Sequence, residues 1–289
     1  MIADSPRDSH GEDVAGVSVA DDRILPVSRG IAVVLVGILA VGASLLYFWP
    51  LETDARFAWP IAPEMTPLLM GSGYFAGAYY FFRMAIGSSW SCSGTTTPAV
   101  ATFATVMLIA TLMHWENFTH DHLAFHIWFA VYVIAPPLVV AIWYFNGKRD
   151  PGITAGQDAL VPGFARVGVF ALGTGATILA AVMFFAPDTA SEFWVWAVSP
   201  LTARILAGWF MLSAVTSFVL AWDHRWGIWK IPLETMVIWC LLILAAVPRA
   251  WGDFSPTPWA PWLVVAFVGL VGIGAIAFYT YMSRIEARA

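Results

Sequence analysis

The sequence predicts an all-α, polytopic membrane protein of about eight transmembrane helices, arranged as two parallel four-helix repeats. Three observations carry that expectation. Of the 289 residues 60% are hydrophobic and only 11% charged, whereas a water-soluble domain carries about 25% charged residues to coat its surface. Apolar runs recur at about 20 residues, the length a helix needs to cross the hydrocarbon core at about 1.5 Å per residue. The second half of the chain also repeats tryptophans, prolines and arginines of the first, in order. The runs are continuous, whereas a transmembrane β-barrel needs short alternating segments.

The chain begins with an acidic stretch. Asp4, Asp8, Glu12, Asp13, Asp21 and Asp22 outnumber Arg7 and Arg23 before the first apolar run. So polar a segment has little to bury, and residues 1–28 are expected to form a disordered cytoplasmic tail. Eight spans follow at about 30–50, 67–87, 98–115, 122–145, 163–186, 200–222, 228–248 and 259–282. Pro50, Pro98, Pro187, Pro200, Pro248 and Pro261 stand near their ends, where a missing N–H does least harm. Pro136 and Pro137 fall inside the fourth span and predict a kink. The first run is too long for the core of a signal peptide. The resulting units are a first repeat at 29–146, a cytoplasmic linker at 147–165, a second repeat at 166–282 and a cytoplasmic tail at 283–289. Cys92 and Cys240 sit in a loop and an apolar run, a pattern that predicts neither a disulfide framework nor a thiolate zinc site.

Basic residues set the orientation. Arg7, Arg23, Arg29, Arg83, Lys148, Arg149, Arg166, Arg225, Lys230, Arg284 and Arg288 fall on one side of this topology, and only Arg56, Arg204 and Arg249 on the other. That asymmetry puts both termini in the cytoplasm of a bacterial-type inner membrane. The lipid bilayer is the expected partner, and nucleic acid is not.

A shift of 137 residues sets Arg29 on Arg166, Phe48 on Phe185, Pro50 on Pro187, Trp59 on Trp196, Pro63 on Pro200, Gly71 on Gly208 and Phe81 on Phe218. A shift of 136 sets "WENFT" at 115–119 on "WGDFS" at 251–255. Four spans is an even number, so both copies would cross the bilayer in the same sense. The shared W-x-[IV]-x-P and W-x-[ND]-F-[ST] segments fall in four extracytoplasmic loops. Interfacial tryptophans and helix caps explain them structurally. A shared outward cavity explains them functionally and makes Trp59, Trp196, Trp115, Asp253 and Arg204 candidate ligand-binding residues.

Four of the six histidines lie in "HWENFTHDHLAFH", residues 114–126. Their counterparts at 250, 256, 258 and 262 are Ala, Pro, Pro and Trp, so the scaffold itself does not require them. His122 and His126 are one helical turn apart, and His120, His114, Glu116 and Asp121 could close on them. Neutral imidazoles with carboxylates suit a transition metal, and paired histidines suit a haem, which makes these the candidate cofactors. Interfacial hydrogen bonding and pH sensing are the alternatives. In the seventh span Glu234 follows Lys230 by four residues, which predicts a local ion pair. The loop "GSSWSCSGTTTP" lacks the terminal Gly-Lys of a phosphate-binding loop.

The segment "WAVSPLTARILAGWF", residues 196–210, resembles a W-x-x-x-P-L-T-x-R core of uncharacterised bacterial multi-pass membrane proteins. The first copy departs from it, with "PEMTP" in place of "PLTAR". The resemblance implies a membrane repeat protein and brings no activity with it. The leading functional expectation is binding, sensing or transport of a small molecule or ion through an extracytoplasmic site. The rivals are a metal- or haem-dependent redox protein using His114–His126, and a scaffold subunit of a membrane complex.

Overall fold

A computed structural model describes residues 22–148, 159–254 and 259–288. Most of the expected acidic tail and of the linker therefore lies outside the described residues. Helix α1, Pro26–Phe48, leads through a 3-10 turn at Pro50–Glu52 into the short α2, Thr53–Arg56. Then come α3, Met65–Ile86; α4, Trp90–Gly94; α5, Thr97–Met113; and, after a 3-10 turn at Trp115–Asn117, α6, Leu123–Gly147. The second series is α7, Gly163–Phe185; α8, Pro187–Phe193; α9, Pro200–Trp222; α10, Trp226–Ala246; a 3-10 turn at Trp251–Phe254; and α11, Ala260–Glu286. Pro136 and Pro137 lie inside α6, which runs unbroken from Leu123 to Gly147.

Seven segments are long and apolar enough to cross a membrane: α1, α4 with α5, α6, α7, α9, α10 and α11. Helix α3 has the length, 22 residues, but not the apolarity, because it carries Gly71, Ser72, Gly73, three tyrosines and Arg83. Its position explains the composition. It packs against α1 and α10 and is buried along most of its length. A helix screened from lipid gains more from small residues that admit close neighbours than from leucines. A Cβ on Gly71 would stand 2.9 Å from the Tyr47 backbone nitrogen, and one on Gly73 2.5 Å from the Trp209 ring. The contacts of Tyr47 with Gly71 and of Arg29 with Gly87 make α1 and α3 antiparallel.

The stretch expected to be a small-residue loop is partly helical. Ser89 caps α4 by accepting from the Cys92 N–H, and Trp90 is fully buried beneath it. The Trp90 N–H donates to the Asp22 carbonyl at 2.8 Å, and the Trp226 N–H to the Ala159 carbonyl at 3.1 Å. Each tryptophan thus pins the chain entering the preceding pair of long helices. Arg29 Nη2 donates to the Gly87 carbonyl at 2.8 Å, and Arg166 Nε to the Ala221 carbonyl at 2.8 Å. These arginines satisfy carbonyls at the ends of α3 and α9 that no further helical turn would reach.

Residues 22–148 and 159–288 meet along two seams, α3 against α10 and α5 against α9. Trp209 stands where the seams converge. Its ring centroid lies 5.3 Å from Tyr74, 4.6 Å from Phe103 and 5.6 Å from Trp239. The hydroxyls of Tyr74 and Tyr132 are 2.7 Å apart, and Trp239 Nε1 donates to Ser72 Oγ at 3.1 Å. The middle of the bundle is therefore packed with interlocked aromatic rings.

Candidate functional site at one end of the bundle

Helices α1, α5, α7 and α10 finish where α3, α6, α9 and α11 begin, and the candidate residues from sequence gather at that end. Trp59 and Trp196 are buried packing residues. Trp59 lies 5.2 Å from Phe57, 5.0 Å from Phe118 and 4.8 Å from Trp128. Trp196 lies 5.1 Å from Trp194 and 5.7 Å from Phe254, and its Nε1 donates to Thr66 Oγ1 at 3.0 Å. Trp115, partly exposed, stacks on His120 at 4.8 Å.

The four histidines go to separate neighbours. His122 caps α6 rather than lying within it: its Nδ1 accepts from the Ala124 N–H at 3.2 Å. The other ring nitrogen lies 3.1 Å from the Ala55 carbonyl, so Nε2 is the donor of that bond. That turn toward Ala55 takes it away from the helical face it was expected to share with His126. His126 is exposed beside Phe125. His120 is held between Trp115 and Phe125, with its Nε2 buried and without a hydrogen-bond partner among the described residues. Glu116 and Asp121 are exposed. Among the described residues no group of three or more His, Cys, Asp or Glu converges closely enough to hold a metal ion.

His114 is different, because it sits in the seam between α5 and α9. Arg204, the fifth residue of α9, places Nη1 2.7 Å from His114 Nε2 and donates from Nε to the Phe184 carbonyl at 3.1 Å. Burial pushes the His114 pKa below the usual imidazole value, the Arg204 charge pushes it the same way, and Asn117 opposes them. Among the described residues Arg204 has no carboxylate partner.

The other seam, between α3 and α10, is neutralised. Arg249 donates from Nη1 to the Tyr47 carbonyl at 2.8 Å and lies 3.8 Å from Glu64. Asp253 Oδ2 accepts from the Met65 N–H at 2.7 Å, satisfying one of the N–H groups left free at the start of α3. Sequence reading included Asp253 but missed Glu64 and Arg249. The signal for Arg249 was its rarity, as one of three basic residues on the sparse side.

A second polar cluster occupies the opposite end and overturns the expected local pair. Glu234 bonds not to Lys230 but to Arg83, to the Tyr79 hydroxyl at 2.7 Å and to the Tyr279 hydroxyl at 2.9 Å. Lys230 reaches Glu286 at 2.7 Å. A carboxylate in an apolar helix is tolerable because partners on α3 and α11 surround it.

Apolar helices of bilayer length around an aromatic centre define a polytopic integral membrane protein. No known family, curated protein or solved structure matches the chain.

Proposed function

We propose that the chain is a tandem duplication of a four-span unit, with eight crossings and both termini cytoplasmic, and that its outward seam at Arg204 and His114 binds a small anion. The duplication is supported by contacts that recur at, or within three residues of, the spacing of the sequence matches. Trp90 on Asp22 corresponds to Trp226 on Ala159, and Arg29 at the end of α3 to Arg166 at the end of α9. Trp59 on Phe118 corresponds to Trp196 on Phe254. The two seams also correspond, since each joins the second long helix of one half to the third of the other. On this reading α3 crosses as the counterpart of α9, and its weak apolarity follows from burial.

The observation that carries the functional reading is the charge difference between the seams. Arg249 has Glu64 as an ion-pair partner, whereas Arg204 faces an imidazole held neutral. A half-buried guanidinium with no carboxylate partner among the described residues is a site for a carboxylate, sulfate or phosphate, which its planar fork can hold by two hydrogen bonds. The packed centre around Trp209 favours binding or sensing over passage, because a solute crossing between the halves would have to displace those rings. The test is thermal unfolding of protein in nanodiscs with inorganic phosphate, sulfate or acetate added to the buffer. At least one anion should raise the melting temperature of the native chain, and Arg204→Gln should abolish the rise. No rise with any of them, or an equal rise in the variant, would overturn the anion site.

A further inference from the structure

The two halves differ sharply at the other end, between α5 and α6. A groove of about 490 Å³ opens there, lined by Pro98, Ala101, Thr102, Thr105, Val140 and Trp143 among others. Its hydroxyls are already used: Thr102 donates to the Pro98 carbonyl at 3.0 Å and Thr105 to the Ala101 carbonyl at 2.8 Å. Carbon therefore dominates the lining. Val140 and Trp143, 51% and 44% exposed, form its outer lip.

The corresponding positions in the second half, 136 residues on, carry different side chains. Glu234 and Tyr279 stand where Pro98 and Trp143 do, and the Tyr279 hydroxyl donates to Glu234 at 2.9 Å. Val237, Ile238 and Leu241 replace Ala101, Thr102 and Thr105. Branched side chains thus stand in the second half where α5 has one alanine and two threonines.

We propose that this groove holds one acyl chain of an anionic phospholipid, with the headgroup phosphate on Lys148. Hydrocarbon is what surrounds α5 and α6 in a membrane. From Pro98 to Val106 the groove follows about 12 Å of helix, most of the roughly 15 Å hydrocarbon depth of one leaflet. Lys148, five residues beyond Trp143, is the C-cap of α6 and is exposed. Its ammonium lies 4.2 Å from the Tyr144 ring centroid, and it has no carboxylate partner among the described residues. A phosphate completes that charge where the helix leaves the bilayer.

The comparison with the second half rests on the duplication, whereas the groove and Lys148 belong to the first half alone. The test is native mass spectrometry of detergent-purified protein incubated with equal phosphatidylglycerol and phosphatidylcholine. The native chain should retain one phosphatidylglycerol in preference. The pair Ala101→Val and Thr105→Leu, which installs the second half's own side chains, should lower retention about tenfold by excluding methylenes from the groove. Lys148→Gln should leave lipid bound and erase the preference for phosphatidylglycerol. Equal retention by the native and groove-filled chains, or no retained lipid in either, overturns the site. A preference that survives Lys148→Gln overturns the headgroup assignment. Neither result touches the duplication, which the Ala203→Ser variant discussed below reads separately.

Discussion

Arg204 Nη1 lies 2.7 Å from His114 Nε2, and because a guanidinium has only donors, the imidazole must accept. That fixes His114 as neutral and gives the seam between α5 and α9 a pH dependence of known sign. Burial and Arg204 both depress the folded pKa of His114, so the unfolded chain, with an imidazole near 6.5, takes up its proton first as pH falls. The stability contributed by the pair is complete above the unfolded value and is lost as pH falls through the folded one. The melting temperature should therefore drop on acidification from pH 7 toward 5. His114→Gln, whose amide oxygen can accept from Arg204 without titrating, should flatten that drop. An unchanged pH profile in the variant would show that other groups produce it.

An unpaired indole nitrogen gives a test of the duplication. Trp196 donates to Thr66, but Trp59 Nε1 is buried without a partner among the described residues. The residue 137 positions beyond Thr66 is Ala203, fully buried and without a hydroxyl. Ala203→Ser should supply the missing acceptor and stabilise the protein by about 1 kcal/mol, the scale of one hydrogen bond made to a buried orphan. Calorimetry or thermal unfolding in nanodiscs measures it. Destabilisation would mean that position 203 does not face Trp59 as Thr66 faces Trp196.

The Glu234 cluster predicts a non-additive pair. Arg83→Met leaves a carboxylate in the bundle with only Tyr79 and Tyr279 to hold it, and should cost about 2–3 kcal/mol, somewhat below a fully buried pair because both groups are partly exposed. Glu234→Gln in the same chain removes the charge that Arg83→Met strands, so the double variant should be more stable than Arg83→Met alone. Strict additivity in a double-mutant cycle would mean that the two side chains do not act as a pair.

What could be read from sequence divides along physical lines. Length and apolarity placed each long helix within a few residues, because bilayer thickness imposes one period on the whole chain. Helix α3 failed the apolarity test for the same reason that it packs well: its glycines and tyrosines face protein. The tryptophans were legible as a pattern but not as packing, since an interfacial ring and a buried one look alike in one dimension. The histidines misled by proximity. Residues 114–126 are close in sequence, yet His114 turns to α9, His122 to Ala55 and His120 to Trp115. Glu234 misled in the same way, because its true partners on α3 and α11 lie 151 and 45 residues away.

The fit of Gly73 against Trp209, across the two halves, predicts the cost of a single added methyl group. A Cβ on Gly73 would fall 2.5 and 2.6 Å from two atoms of the Trp209 six-membered ring. That ring cannot retreat, with Tyr74, Phe103 and Trp239 packed around it. Gly73→Ala should therefore destabilise by about 1–3 kcal/mol, the usual cost of overpacking a filled interior, although alanine is the better helix former. Trp209→Leu leaves a cavity on its own but removes the flat ring that Gly73 accommodates. The Gly73→Ala change should then cost less in that background than in the native one. If Gly73→Ala proves neutral or stabilising in the native chain, α3 and α9 do not approach each other as described, and the seam that brings Arg204 to His114 would have to be redrawn.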